Sequence, residues 1–239
     1  MAKQHFIIID TETTQDGKVA DFAAVVCDRK GAVVNQCAIL INGVFTDPVS
    51  HPLFFDSKAE PEALWSKAGQ DRRYATYNAM LLNGGRMIAS VAAVNSWISK
   101  AIAQYNPILT AYNLPFDLDK CTKTGINLSV FSKRFCLWDS AYSLLAQSKG
   151  YRQFVLDNHL FNARTENGNL TYQVKAETVG NYINGGTSKE PHTALEDIIF
   201  YELPILAYIL KRKSVKWCVE NPSRYNWRAV QVRDWFKPK

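Results

Sequence analysis

Residues 5 to 14 read HFIIIDTETT, and this stretch restricts the fold of the chain more than any other. Four apolar residues in succession, three of them isoleucine, lack the alternation of a half-exposed strand and mark a central strand covered on both faces. Residues two apart on a strand point to one face, so Asp10 and Glu12 converge at the end of the run. Two carboxylates that close raise each other's pKa and destabilise the fold unless a cation lies between them. The chain must therefore build a layer on each side of a sheet, with acids at the carboxyl end of a core strand, where open α/β sheets place their sites.

The remaining pattern supplies those layers. Strands are expected near 5–11, 20–27 and 32–41, the last two joined as a hairpin through CDRKG, in which Asp28 and Gly31 are turn residues. Residues 86–105 space Ile88, Val91, Ile98, Ala101, Ile102 and Tyr105 as an amphipathic helix. PILTAYN reads as a short buried strand, followed by a helix with Leu114, Leu118 and Cys121 inward and Gly125 at its end. RFCLWDS, from Arg134, reads as a fifth strand. A helix is expected within 175–184 and a long one after His192, kinked by Pro204. The expected class is α/β: a mixed five-stranded sheet flanked by helices, in one domain over 1–210. An insertion from about 45 to 85 follows the third strand, with helical material at Pro61–Lys67 and Tyr74–Leu82, and a basic aromatic extension occupies 211–239.

Charge and cysteine usage limit the partners. The net charge of +6 is unevenly placed: Lys211 to Lys239 hold nine Lys and Arg against Glu220 and Asp234, a local +7, which leaves the first 210 residues at −1. Trp217, Tyr225, Trp227, Trp235 and Phe236 interleave with Lys216, Arg224, Arg228, Arg233 and Lys237, a mixture suited to single-stranded nucleic acid and equally to packing the segment onto the domain. Cys27, Cys37, Cys121, Cys136 and Cys218 are odd in number and lack the paired spacing of a zinc or redox motif, which points to reduced thiols in a cytoplasmic protein. No apolar run reaches the length of a membrane span, and MAKQHF passes into a strand without a signal-peptide pattern, so neither membrane nor export is expected.

A lone D-x-E carries little weight, since about one is expected by chance at average composition. Two further places strengthen it. Asp117 lies on the helix after the buried strand LTAYN and can approach Asp10 from the side, whereas Asp119 faces solvent. In KEPHTALEDIIF, Thr193 and Glu196 form a capping box that starts a helix at Ala194. His192 is then on a loop and Asp197 in the first turn, a division that suits a mobile base and a rigid ligand. His5, His51 and His159 have no metal-ligand companion at useful spacing. NGGTSKEP lacks P-loop spacing, and its Lys189 is either a solvated lysine or a phosphate contact.

Together these residues resemble the DEDDh family of 3′-to-5′ exonucleases, which includes the proofreading subunit of bacterial DNA polymerases and has an RNase H-like fold. The motif D-x-E-T-T is matched by Asp10, Glu12, Thr13 and Thr14, N-x-x-F-D by Asn113, Phe116 and Asp117, and H-x-A-x-x-D by His192, Ala194 and Asp197. The sequence departs from the family in Gln15, where Gly is usual, and in the interval that residues 45–85 lengthen; both bear on the substrate groove more than on catalysis.

The resemblance implies a metal-dependent 3′-to-5′ exonuclease that hydrolyses phosphodiester bonds from a free 3′ end of DNA or RNA, single-stranded in preference, and releases nucleoside 5′-monophosphates. Asp10, Glu12, Asp117 and Asp197 would hold two divalent ions, Mg²⁺ or Mn²⁺, about 3.5 to 4 Å apart. Asp10 would bridge both, Glu12 and Asp197 would hold the water-activating ion, and Asp117 would favour the second. His192, with an unperturbed pKa of about 6.5, would take the proton of the attacking water. Thr11, Thr13, Asn113, Phe116 and Lys189 are the substrate-side candidates, with core packing an equal role for Phe116. A polymerase partner would accord with the resemblance, although no motif identifies one or fixes an oligomeric state. The alternatives are a module that binds nucleic-acid ends or protein with incidental hydrolysis, and an RNase H-like endonuclease.

Overall fold

The computed structural model describes residues 4–162, 168–220 and 232. Strands β1 (His5–Thr13), β2 (Val19–Asp28) and β3 (Val33–Ile41) run antiparallel in succession. The hairpin between the last two forms where CDRKG predicts it. Asp28 Oδ1 accepts from the backbone N–H groups of Lys30 and Ala32 at 2.8 and 3.0 Å, and Gly31 takes φ +85°, which only glycine adopts freely. Beyond β3 come α1 (Lys67–Leu82), β4 (Met87–Ala89), α2 (Val91–Tyr105), β5 (Ile108–Ala111), α3 (Leu114–Thr124), β6 (Arg134–Cys136) and α4 (Leu137–Ala141). A π-helical turn at Tyr142–Ala146 precedes α5 (Lys149–Asp157), α6 (Ala176–Asn184) and α7 (Ala194–Asp197); a second π turn at Ile198–Glu202 leads into α8 (Leu203–Arg212) and α9 (Val215–Glu220).

The sheet has the order β4-β3-β2-β1-β5-β6, with β4, β5 and β6 each parallel to the neighbour nearer the centre. This is the expected α/β arrangement of a mixed sheet flanked by helices, but with six strands rather than five. The helix expected over 86–105 begins only at Val91, where the Ser90 hydroxyl accepts from the Ala93 N–H at 3.2 Å. Met87–Ala89 instead pair with Ile39–Ile41 at the sheet edge. Three residues are too few to show a period of their own. Likewise only RFC of RFCLWDS is strand, and Leu137 starts a helix.

The run Ile7, Ile8, Ile9 has no solvent exposure, as a central strand requires. Alternation sends Phe6 and Ile8 with Ala23 and Val25 into one core against Val179, Ile198 and Leu206, and Ile7 and Ile9 with Phe22 and Ala24 into the other against Val94, Ile98 and Cys121. Each buried isoleucine contributes roughly 1.5–3 kcal/mol relative to exposure. Residues 45–85 share the second core through Phe45, Leu53 and Tyr77. All five cysteines are free thiols. Among the described residues no helix is long and apolar enough to cross a membrane.

Of the basic aromatic extension, Tyr225, Trp227, Trp235, Phe236, Arg224, Arg228, Arg233 and Lys237 lie outside the described residues. What is described packs inward: Cys218 and Val232 are buried in the first core, Trp217 lies against it, and the Val232 N–H donates to Leu170 O at 2.9 Å. Lys213 Nζ stands 5.0 Å over the Trp217 ring.

Candidate active site

The length of β1 makes the site. Strand β5 pairs with it only from Phe6 to Ile8, whereas β2 accompanies it to Thr13, so among the described residues the side of β1 away from β2 is unpaired by any strand between Ile9 and Glu12. Asp10 and Glu12 continue the Phe6–Ile8 face there, toward α7 and the π turn. Asp117, at the start of α3, is 2 % exposed, and its Oδ1 accepts from the Thr11 hydroxyl at 2.8 Å. Thr11 points to the opposite face from its two acidic neighbours, so it holds Asp117 at the open edge.

Asp197 closes the site from the helical layer. Glu12, His192 and Asp197 each offer one ligand atom, all within 4.8 Å of one another. Asp10 and Asp117 stand outside that trio but within electrostatic reach: the carboxyl of Asp10 is held well above the usual range by burial, then by the charges of Glu202, Asp117, Glu12 and Asp197. Burial with neighbouring carboxylates lifts Glu12 to about 8 and Asp197 to about 9. Asp117 rises to about 7 by burial, against the stabilising bond from Thr11. Such crowding fits a site that could hold a cation. Among the described residues Asp197 Oδ1 and Glu202 Oε2 are buried without a hydrogen-bond partner, and oxygen-rich donors of this kind suit Mg²⁺ or Mn²⁺.

His192 differs from its expected description. Its backbone is left-handed at φ +54°, and its ring is not free but meets Trp65 edge-on with centroids 5.0 Å apart. Burial lowers its pKa to about 4, with Arg73 and Lys175 pushing the same way and Glu177 opposing, rather than leaving it near the free value. The expected capping box is also absent. Thr193 is the N-cap but its side chain makes no capping bond, and Glu196 turns to Arg86 instead, at 2.5 Å from Nη2. A guanidinium offers a carboxylate more than a neutral N–H does. The start of α7 is instead fixed by Asp21 of β2, whose Oδ2 accepts from the Ala194 N–H at 3.0 Å.

Two cavities are lined by acids of the site. One, of about 440 Å³, is lined by Thr11, Glu12, Thr13, His192, Phe54, Trp65, Phe116 and Lys120 among others. The second, of about 320 Å³, is lined by Asp10, Asn113, Tyr112, Trp138, Lys175, Glu190 and Glu202. Phe116 therefore faces a groove, 42 % exposed, rather than the core. Asn113 caps α3 in the left-handed region at φ +71°. Lys189 is exposed and lines neither cavity. Asp119 faces solvent, paired with Lys123 at 2.8 Å.

Several residues of the site were not legible as such. Phe54, Trp65 and Arg73 come from the insertion, whose segment Pro52–Phe54 hydrogen-bonds along the end of β1: the Phe54 N–H donates to Thr13 O at 2.9 Å and the Gln15 N–H to Pro52 O at 2.8 Å. Arg73 lies 4.5 Å over the Trp65 ring, donates to Phe54 O and partly offsets the charge around Glu12. Glu190 and Glu202 add two acids beyond the motifs, both raised by burial first, Glu190 to about 7. The aromatic and basic WSKAGQDRRY of the insertion, which holds Trp65 and Arg73, and Pro204, two residues after Glu202, are the nearest sequence signals.

No family model matches this chain, and no curated protein does. Among solved structures it is similar to exonuclease I in complex with inhibitor BCBP, at 14% identity and TM-score 0.49, over 92% of this chain and 44% of that one. It is similar also to E. coli exonuclease I in complex with a 5cy-dT13 oligonucleotide, at 16% identity and TM-score 0.46, over 87% of this chain and 40% of that one. The chain spans less than half the length of either.

Proposed function

We propose that this chain is a divalent-metal-dependent 3′-to-5′ exonuclease of the DEDDh type, acting on single-stranded nucleic acid and releasing nucleoside 5′-monophosphates. The observation that carries the reading is the approach of acids from β1, α3 and α7 to one open strand edge, beside His192 and with carboxylate oxygens left unpartnered. The three motifs shared with that family supply the polarity.

Asp10, Glu12, Asp117 and Asp197 would hold the cation or cations. When bound, such an ion neutralises charge on a phosphodiester and makes water a better nucleophile. The residues of the chain do the rest. His192 is a neutral imidazole at pH 7, because burial disfavours its charged form, and in that form it would accept a proton from water. Thr11 fixes one oxygen of Asp117 and leaves the other for the site. Phe54, Trp65 and Phe116 wall a cavity in which an unpaired base can stack, and Lys120, 5.0 Å from the Phe116 ring, would meet a phosphate. A base already paired and stacked in a duplex has no face to offer, which favours single strands. Residues 211–239 would extend this surface with their excess of positive charge.

The test is hydrolysis of 5′-labelled and 3′-labelled single- and double-stranded DNA and RNA with Mg²⁺, Mn²⁺ or chelator. Stepwise shortening of the 5′-labelled single strand, abolished by chelator, is expected; cutting of a closed circle would sink the exonuclease reading. Binding of the ion should also stabilise the fold. At 100 times its Kd a cation adds about 2.7 kcal/mol, so melting temperature should rise with Mn²⁺ and fall back with chelator. A melting curve indifferent to Mn²⁺ would contradict the metal centre.

A further inference from the structure

Among the described residues, Glu202 is the one buried acid of the site that belongs to none of the three motifs and has an unpartnered oxygen. It is 3 % exposed, its Oε2 has no hydrogen-bond partner among those residues, and it lines the same cavity as Asp10. Its position follows from a local irregularity of the backbone. In an α-helix residue i+5 stands about 140° round the axis from residue i, which would turn Glu202 away from Asp197. Between them the chain makes a π turn, with the Leu203 N–H bonded to Ile198 O five residues back. The additional residue per turn reduces that angle to roughly 50°.

Pro204 accounts for the irregularity. It has no N–H for the Phe200 carbonyl four residues earlier, and Asn184 Nδ2 reaches that oxygen instead, at 3.4 Å. Close packing keeps the turn in place: a Cβ on Gly180 of α6 would lie 2.8 Å from Tyr201 Cδ1. The backbone thus gives up regular helical bonding where it brings a second carboxylate onto the face of Asp197. A buried carboxylate kept ionised with a free oxygen is costly unless a cation satisfies it.

We propose that Glu202 is a further metal-holding carboxylate of this site, serving with Asp10 a cation position on the side of the cavity that Asp10, Glu190 and Glu202 line. The inference rests on the metal reading above, and the two fail differently. Mn²⁺ binding to the full chain, followed by electron paramagnetic resonance and calorimetry, separates them without recourse to activity. Glu202→Gln preserves shape and should fold, with a melting temperature in chelator no lower than the parent. Its Mn²⁺ affinity should drop by about 10-fold to 100-fold. Glu202→Asp keeps the charge but withdraws it by one methylene and should give an intermediate loss. Parental affinity and stoichiometry in both variants would show a structural carboxyl and overturn the role of Glu202 alone. A parent chain that takes up no Mn²⁺ at millimolar concentration would overturn the metal reading and this role with it.

Discussion

Replacing Asp197 with Asn should leave a folded protein that degrades a single-stranded oligonucleotide at least about 10³-fold more slowly, equivalent to roughly 4 kcal/mol of lost transition-state stabilisation. The two halves of this expectation have one cause. Asp197 is 3 % exposed, Oδ1 has no hydrogen-bond partner among the described residues, and Glu190 and Glu12 crowd it with like charge. An amide of the same shape removes that repulsion, so stability in chelator should be equal to or above that of the parent. The same amide is a poor ligand for a hard cation, so the stabilisation by Mn²⁺ should shrink along with turnover. Asp119→Asn is the matched control: an exposed acid on α3, paired only with lysines, whose loss should leave hydrolysis unchanged. Retention of parental turnover by Asp197→Asn, with folding intact, would falsify the assignment of the site.

The acids were legible because each sits beside a strong local signal. The isoleucine run announces a central strand, and Asp10 and Glu12 follow from its period of two. Asp117 follows from a strand that gives way to a helix, and Asp197 from its position in a first turn. What the sequence concealed depends on contacts between distant segments. Strand β4 takes its conformation from β3, with which it pairs only at Ile39–Ile41. Phe54, Trp65 and Arg73 gain a role only once Pro52–Phe54 lies along the end of β1. Glu202 was hidden for a different reason: counting at 3.6 residues per turn puts it on the wrong face, and only the π turn ahead of Pro204 brings it back. Pro204 was readable as an interruption, but a kink and a π turn are equally good answers to a missing N–H.

The Asp21–Arg86–Glu196 cluster leads to the largest expected loss of stability. Asp21 and Arg86 have no side-chain exposure, and their pairing is bidentate, Nε to Oδ1 at 3.0 Å and Nη2 to Oδ2 at 3.1 Å. The same guanidinium reaches both oxygens of Glu196, and Asp21 also receives the Ala194 N–H. One side chain, just past the insertion, thus fastens β2 to α7, which carries Asp197. Arg86→Met strands a carboxylate in the core and should cost about 3–5 kcal/mol in urea unfolding. The pH dependence has a definite sign. Burial already raises the pKa of Asp21 even with Arg86 present, and Arg86 lowers that of Glu196. Without the guanidinium the Asp21 pKa rises further and Glu196 loses the stabilisation of its charged form. Both changes penalise the ionised state, so the deficit of Arg86→Met should grow from pH 5 to pH 8. The pair Asp21→Leu with Arg86→Met, which leaves neither charge unpaired in the core, should recover much of the loss in stability while activity stays low, because α7 has lost its anchor. A deficit under about 1 kcal/mol for Arg86→Met, flat across that pH range, would show that the cluster does not hold the third motif in place.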